Sequence, residues 1–227
     1  MNIVRSFFLL VPILVAGQAS AIEPYTCQNE PNAASDIKLA EIVGTPGARV
    51  NFRLDGIGCP DAPSCIVPKP FLSSGKRVLV TQTTEGWACA WGLIGQSDQW
   101  GFQGWISAKA IKFLDVTRHP HLRDWIGTWK LDGVDQLKIS ASNAGTLRVT
   151  GEARWYGPVI NGERDVHYGS LDGHATPVGS RLYIGRNLSK DQCKATLLLI
   201  DGYLVVTDNN QCGGVNARFN GVFKKER

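Results

Sequence analysis

The sequence predicts an all-β protein built as two units, and three observations carry that prediction. Short alternating apolar runs recur along the chain, separated by Gly, Pro, Asn and Asp. Beyond the N-terminal apolar stretch, no run longer than about ten residues keeps helical spacing. The six cysteines divide into Cys27, Cys59, Cys65 and Cys89 on one side of a polar, unpatterned stretch at 115–123, and Cys193 and Cys212 on the other. An even number on each side lets each unit be stapled within itself. With 227 residues, 43% of them hydrophobic, the chain is long enough for two small domains and too apolar for a disordered one. Its 24 basic and 20 acidic residues are nearly balanced, and no basic run exceeds two residues. A phosphate-binding footprint would show a clustered basic stripe, so no nucleic-acid partner is expected.

The N-terminus sets the compartment. Arg5 is the only charge among the first 22 residues, an apolar stretch covers 7–15, and Ala19-Ser20-Ala21 follows. This is the pattern of a secretory signal peptide, 1–21, cleaved after Ala21. The stretch is too short to span a bilayer comfortably and contains Pro12. No cysteine follows the cleavage site directly, which argues against a lipid anchor. The expected product is periplasmic or secreted, with no membrane span after signal removal. In such a compartment six cysteines read as three disulfides. Their distribution favours Cys59–Cys65, closing a Pro-rich loop, Cys27–Cys89, tying down an N-terminal arm, and Cys193–Cys212. No CxxC pair occurs, so bridges are favoured over a metal site, and no metal or cofactor is expected.

Residues 22–47 are polar and carry Pro24, Pro31, Gly44, Pro46 and Gly47, the texture of an arm. Within it, 34–42 suits either a turn or two of helix or a strand at its end. From 48 to 114 strands are expected at 50–54, 77–83, 87–93, 103–106 and 111–114. Residues 55–70 read as a Pro-rich loop. The linker is placed at 115–123. Residues 124–227 hold eight candidate strands, at 127–131, 136–140, 146–155, 166–173, 181–184, 193–200, 203–207 and 216–223. Asn161-Gly162 and Asp201-Gly202 mark hairpin turns, because both residues tolerate positive φ. Eight short antiparallel runs joined by hairpins predict a small barrel or a sandwich.

Four segments of the first unit occur in a familiar order. They are Val50-Asn51-Phe52-Arg53, then Leu72 to Val80 with Gly75 inside it, then Gly86-Trp87, then Gly104-Trp105-Ile106. Together they resemble the bacterial SH3-like (SH3b) domain over residues 45–114. The chain departs from that pattern in the disulfide-bearing insertion at 55–70 and in the longer polar segment 94–102. The resemblance implies an SH3-like small barrel that binds cell-wall peptides or glycans. Trp87 and Trp105 read as core, because small barrels use large aromatics and disulfides to make up for limited buried area. Gly104 would let a backbone approach closely there. Trp91, Trp100 and Phe102 are the ligand-binding candidates. Trp100 lies in the polar context Ser97-Asp98-Gln99-Trp100-Gly101, and an indole pairs an apolar body with a polar tip.

Gly127-Thr128-Trp129 at the start of the second unit resembles the opening of lipocalins, as an analogy of architecture. The segment 193–223 resembles the ends of small exported bacterial β-domains, some connected with lysozyme inhibition. No constellation for catalysis is complete. His119 and His121 sit in the linker, and His167 and His174 would face opposite sides of an unbroken strand. Asp165 and Asp172 sit near turns, where Asp is expected anyway. No G-x-S-x-G or H-E-x-x-H occurs. The expectation is therefore a non-catalytic envelope-binding protein acting on peptidoglycan or its peptides. The alternatives are a module that inhibits a hydrolase such as lysozyme through 208–214, and a cell-wall enzyme of unrecognised site.

Overall fold

The computed structural model describes residues 26–27, 31–93, 101–116, 119–131, 134–143 and 145–226. The expected signal peptide and Trp100 lie outside the described residues. The protein is all-β, with two antiparallel sheets that follow one another along the chain. The first holds β1 (Lys38–Ile42), β2 (Arg49–Arg53), β3 (Ile66–Ser73), β4 (Arg77–Thr84), β5 (Trp87–Leu93), β6 (Gly101–Ser107) and β7 (Ile111–Phe113). Its strand order is β3-β2-β6-β5-β4-β1-β7. The interior gathers Ile42, Phe52, Val78, Val80, Ala88, Ala90 and Ile106. A Cβ on Gly104 would stand 3.1 Å from the Arg53 carbonyl oxygen and 3.2 Å from Phe52, so the strands approach closely there and glycine leaves them room. Trp105 is fully buried, but beneath the Cys27–Cys89 bridge rather than in the main interior. Its indole N–H donates to Asp55.

Two segments differ from the sequence expectation. The loop at 55–70 ends in β3, which carries Pro68 and Pro70. Proline lacks the ladder donor, and β3 is tolerated because it is an edge strand. Its register against β2 is interrupted between Asn51 and Arg53, and there the Asn51 amide donates to the carbonyls of Val67 (2.9 Å) and Pro68 (3.3 Å). The arm at 22–47 contains β1, an internal strand between β4 and β7. Of the two options at 34–42, the strand is the one formed.

The second sheet holds β8 (Gly127–Lys130), β9 (Gln136–Ala141), β10 (Leu147–Ile160), β11 (Glu163–Ala175), β12 (Arg181–Ile184), β13 (Ala195–Ile200), β14 (Tyr203–Asp208) and β15 (Gly221–Lys225). All eight expected strands are present. Their order, β11-β10-β9-β8-β15-β14-β13-β12, is an up-and-down meander whose last strand returns to the first, giving a nearly closed barrel. Asn161-Gly162 and Asp201-Gly202 have positive φ at both positions, as the tight hairpin turn requires. A single helical turn, α1 (Leu122–Trp125), precedes β8. Trp125 and Trp129 are buried in the barrel interior, and the Trp129 indole donates to the Trp125 carbonyl at 2.8 Å.

A third apolar cluster joins the two sheets. Leu39, Leu79 and Trp91 are paired neighbours on β1, β4 and β5, so they form one row on one face. Leu198, Val205 and Val222 form a matching row across β13, β14 and β15. All six pack in one cluster with Ala33 and Ile37 of the arm. The arm also binds the barrel by polar contacts, since Arg181 donates to the carbonyls of Ala33 and Ser35 and the Ala33 N–H donates to Thr207.

Candidate functional site

The structure does not bring the predicted ligand-binding aromatics together. Trp91 pairs with Gln103, and its neighbour Gly92 pairs with Phe102. Trp91 and Phe102 therefore project to opposite faces of the sheet. Trp91 packs against Tyr203 at 6.3 Å between the two sheets, with its ring over Gly101. Phe102 packs on Phe52 at 4.9 Å in the first interior. One groove cannot be lined by both. Trp87, expected as core, is half-buried: its N–H donates to Asp61 at 3.0 Å and the Arg53 guanidinium lies 4.8 Å from its ring. Arg53 also donates to the Pro60, Asp61 and Ala62 carbonyls, which pins the Cys59–Cys65 loop. The bridges are Cys27–Cys89, Cys59–Cys65 and Cys193–Cys212, the pairing read from the sequence.

A cleft of about 700 Å³ opens at the edge of the inter-sheet cluster. Its apolar wall comes from Leu114, Val116, Pro120 and Trp129. Arg77 at the start of β4 and Asp201 in the β13–β14 turn form an ion pair across the two sheets on its rim. The carboxylate beside it holds the Arg77 pKa above the ordinary arginine value, chiefly through their hydrogen bond. Lys225 is also committed, donating to the Asp124 carbonyl at 3.1 Å and lying 5.5 Å from the Trp129 ring. Two carboxylates remain on the wall. Asp124 accepts the His121 N–H at 2.8 Å and lies 3.9 Å from the exposed Arg123. Asp115 is exposed, with no partner among the described residues. Sequence reasoning assigned 115–123 to a linker and missed that it lines a cleft. The only local signal was an acidic residue at each end of a polar, Pro-containing stretch, Asp115 at its start and Asp124 just past its end.

The long β10–β11 hairpin presents a second surface. Tyr156, Val159, Ile160 and Tyr168 are exposed, as is Val215 on the neighbouring loop. Arg154 lies 5.8 Å from the Tyr168 ring and Arg164 lies 5.9 Å from Tyr156. The disulfide loop runs alongside: Ser170 N–H donates to the Cys212 carbonyl and Gly214 N–H to that of Tyr168. Asp208, the only buried acid among the described residues, fixes that loop by accepting the N–H groups of Asn210 and Phe219.

His167 latches the loop to β11. One ring nitrogen meets the Val215 carbonyl and the other meets Asp165 at 2.8 Å. Both neighbours are acceptors, so only the doubly protonated ring donates to both. The Val215 carbonyl first, and then Asp165, raise the His167 pKa above its ordinary 6.5. The stabilisation is therefore present below the unfolded value and is lost as pH rises through the raised folded value. An NMR titration is expected to show the His167 ring titrating above 6.5, with amide exchange at 213–216 accelerating over the same interval. A ring that titrates at or below 6.5 would contradict the latch.

Among the described residues, no three His, Cys, Asp or Glu side chains gather as a metal site, and no helix is long and apolar enough to cross a membrane. His167 and His174 lie seven positions apart along continuous β11 and so on opposite faces. No protein-family model, curated protein or solved structure matches the chain.

Proposed function

We propose that this is a non-catalytic binding protein of the cell envelope, and that the cleft between its two sheets takes a peptide or glycan segment of the wall. The observation that carries the reading is the cleft itself. At about 700 Å³ it falls in the range of small-ligand sites, and it lies where two packed units meet, a preferred place for them. Its wall combines apolar side chains with a few placed charges, as such sites do. Three disulfides fit an oxidising compartment outside the cytoplasm. A periplasmic or secreted location, after cleavage at Ala21, completes the reading.

The test is co-sedimentation of the full chain with protein-free cell wall. Wild type is expected in the pellet, and Val116→Trp, which fills the cleft from a half-exposed position, is expected to cut retention about tenfold. Equal retention of both proteins would move the site elsewhere. Trp100→Ala is the companion variant for the aromatic candidate that lies outside the described residues.

A second reading is a module that binds a hydrolase such as lysozyme. It is favoured by the β10–β11 hairpin, where exposed tyrosines stack with arginines, residue types enriched at protein interfaces. Inhibition of lysozyme by the full chain, weakened by Tyr168→Ala, is its expected outcome. No inhibition at high molar excess rules it out for that target.

A further inference from the structure

The charges around the cleft are unequally committed. Arg77 is neutralised by Asp201 across the sheets, and Lys225 is held by the Asp124 carbonyl and the Trp129 face. Asp115 and Asp124 both line the same cleft. Asp115 meets no cation among the described residues. The nearest cation to Asp124 is Arg123, at 3.9 Å and largely solvated. Beside these two groups lie Leu114, Val116 and Pro120, whose surface is apolar. A ligand that satisfies both features carries a cation at the end of an apolar stem.

We propose that the cleft binds a short peptide through a lysine-type side chain, with the ammonium taken by Asp115 and Asp124 and the methylene stem lying on Leu114, Val116 and Pro120. A long amine side chain buries its stem along apolar surface while its head stays with charge and water. An ammonium offers three donors, and two acidic residues lining one cleft carry acceptor oxygens for them. Acidic or neutral peptides lack that match, and the acidic ones are also repelled by Asp115 and Asp124. The proposal rests on the reading of the cleft as a peptide site and adds which peptides it selects.

The probe is the tripeptide Ala-Lys-Ala, capped at both ends, titrated into the full chain by NMR and calorimetry. Its counterparts carry acetyl-lysine or glutamate at the centre. The lysine peptide is expected to shift the amide signals of residues 114–116 and 124 and to weaken as salt is added. Asp115→Asn and Asp124→Asn should each lower its affinity about threefold, and together about tenfold, the size expected of partly solvated ion pairs. Asparagine keeps an oxygen for the His121 N–H, so α1 is retained, and matching circular dichroism spectra verify the fold. Equal affinity for the lysine and acetyl-lysine peptides would overturn the proposal. So would binding of neither peptide, or an unchanged affinity in the double variant.

Co-sedimentation separates this inference from the broader reading. If the protein pellets equally with native wall and with wall whose amines have been acetylated, the lysine-type ligand is wrong and wall binding stands. If it binds the lysine peptide but never pellets with wall, the selectivity of the cleft stands and the wall reading fails.

Discussion

Leu79→Ala is expected to lower stability by about 3 kcal/mol and to split a single unfolding transition into two. Leu79 has no exposed surface and lies at the centre of the row Leu39–Leu79–Trp91. Truncating a buried leucine removes transfer free energy and leaves a cavity, together about 2–5 kcal/mol. Its particular consequence comes from where the cavity forms. The row packs against Leu198, Val205 and Val222 of the barrel, so the lost contacts are those that couple the sheets. Leu137→Ala, inside the barrel, should cost a comparable amount but leave the transitions coincident. Scanning calorimetry with near-UV circular dichroism reads both. Two separate transitions in wild type, or an undivided transition in Leu79→Ala shifted by less than about 1 kcal/mol, would show that the cluster does not couple the units.

The strands themselves were legible because hairpin chemistry and alternation agree. Asp201-Gly202 and Asn161-Gly162 sit between apolar runs, and each makes the turn that its φ tolerance allows. The disulfide pairing that the cysteine distribution favoured is the one formed, although four cysteines in the first unit left other pairings open. The coupling of the two units was not anticipated, although its signal is present. Val78-Leu79-Val80, Leu198-Leu199-Ile200 and Leu204-Val205-Val206 are continuous apolar triplets rather than alternating ones. Continuous apolar runs mark strands buried on both faces. One face of each run serves its own interior and the other serves the partner sheet. The same omission explains Trp91. Its neighbours in sequence do not reveal that it shares a row with Leu79, because register across strands is set by pairing at a distance. Strand β3 was hidden for a different reason: proline normally marks a break, and only the edge position of the strand removes the penalty. The cleft is the least legible feature. Asp115, Asp124, Arg77 and Asp201 come from three separate segments and meet only when the sheets pack.

Removing the Cys27–Cys89 bridge by substituting both residues with Ala is expected to cost about 4 kcal/mol, the largest effect of any single bridge in the chain. The two cysteines are 62 positions apart, against 19 for Cys193–Cys212 and 6 for Cys59–Cys65. In the chain-entropy account a longer loop loses more freedom in the unfolded state when it is closed, so the three bridges should rank in that order. Alanine suits the test because both sites are buried and a serine hydroxyl there would need a partner. The effect should extend beyond the first unit. Cys27 is followed by the arm that packs Ala33 and Ile37 into the inter-sheet cluster and receives Arg181 from the barrel. Releasing its end removes the arm's covalent tie to β5 and leaves it held by strand pairing, the inter-sheet cluster and the contacts to Arg181 and Thr207. Amide exchange should therefore accelerate at Ala33–Ile37 and at Thr207, whose hydroxyl accepts the Ala33 N–H. Denaturant unfolding of the three bridge-deleted variants gives the ranking. A loss smaller for Cys27–Cys89 than for Cys59–Cys65 would show that residual structure in the unfolded chain already holds the arm near β5.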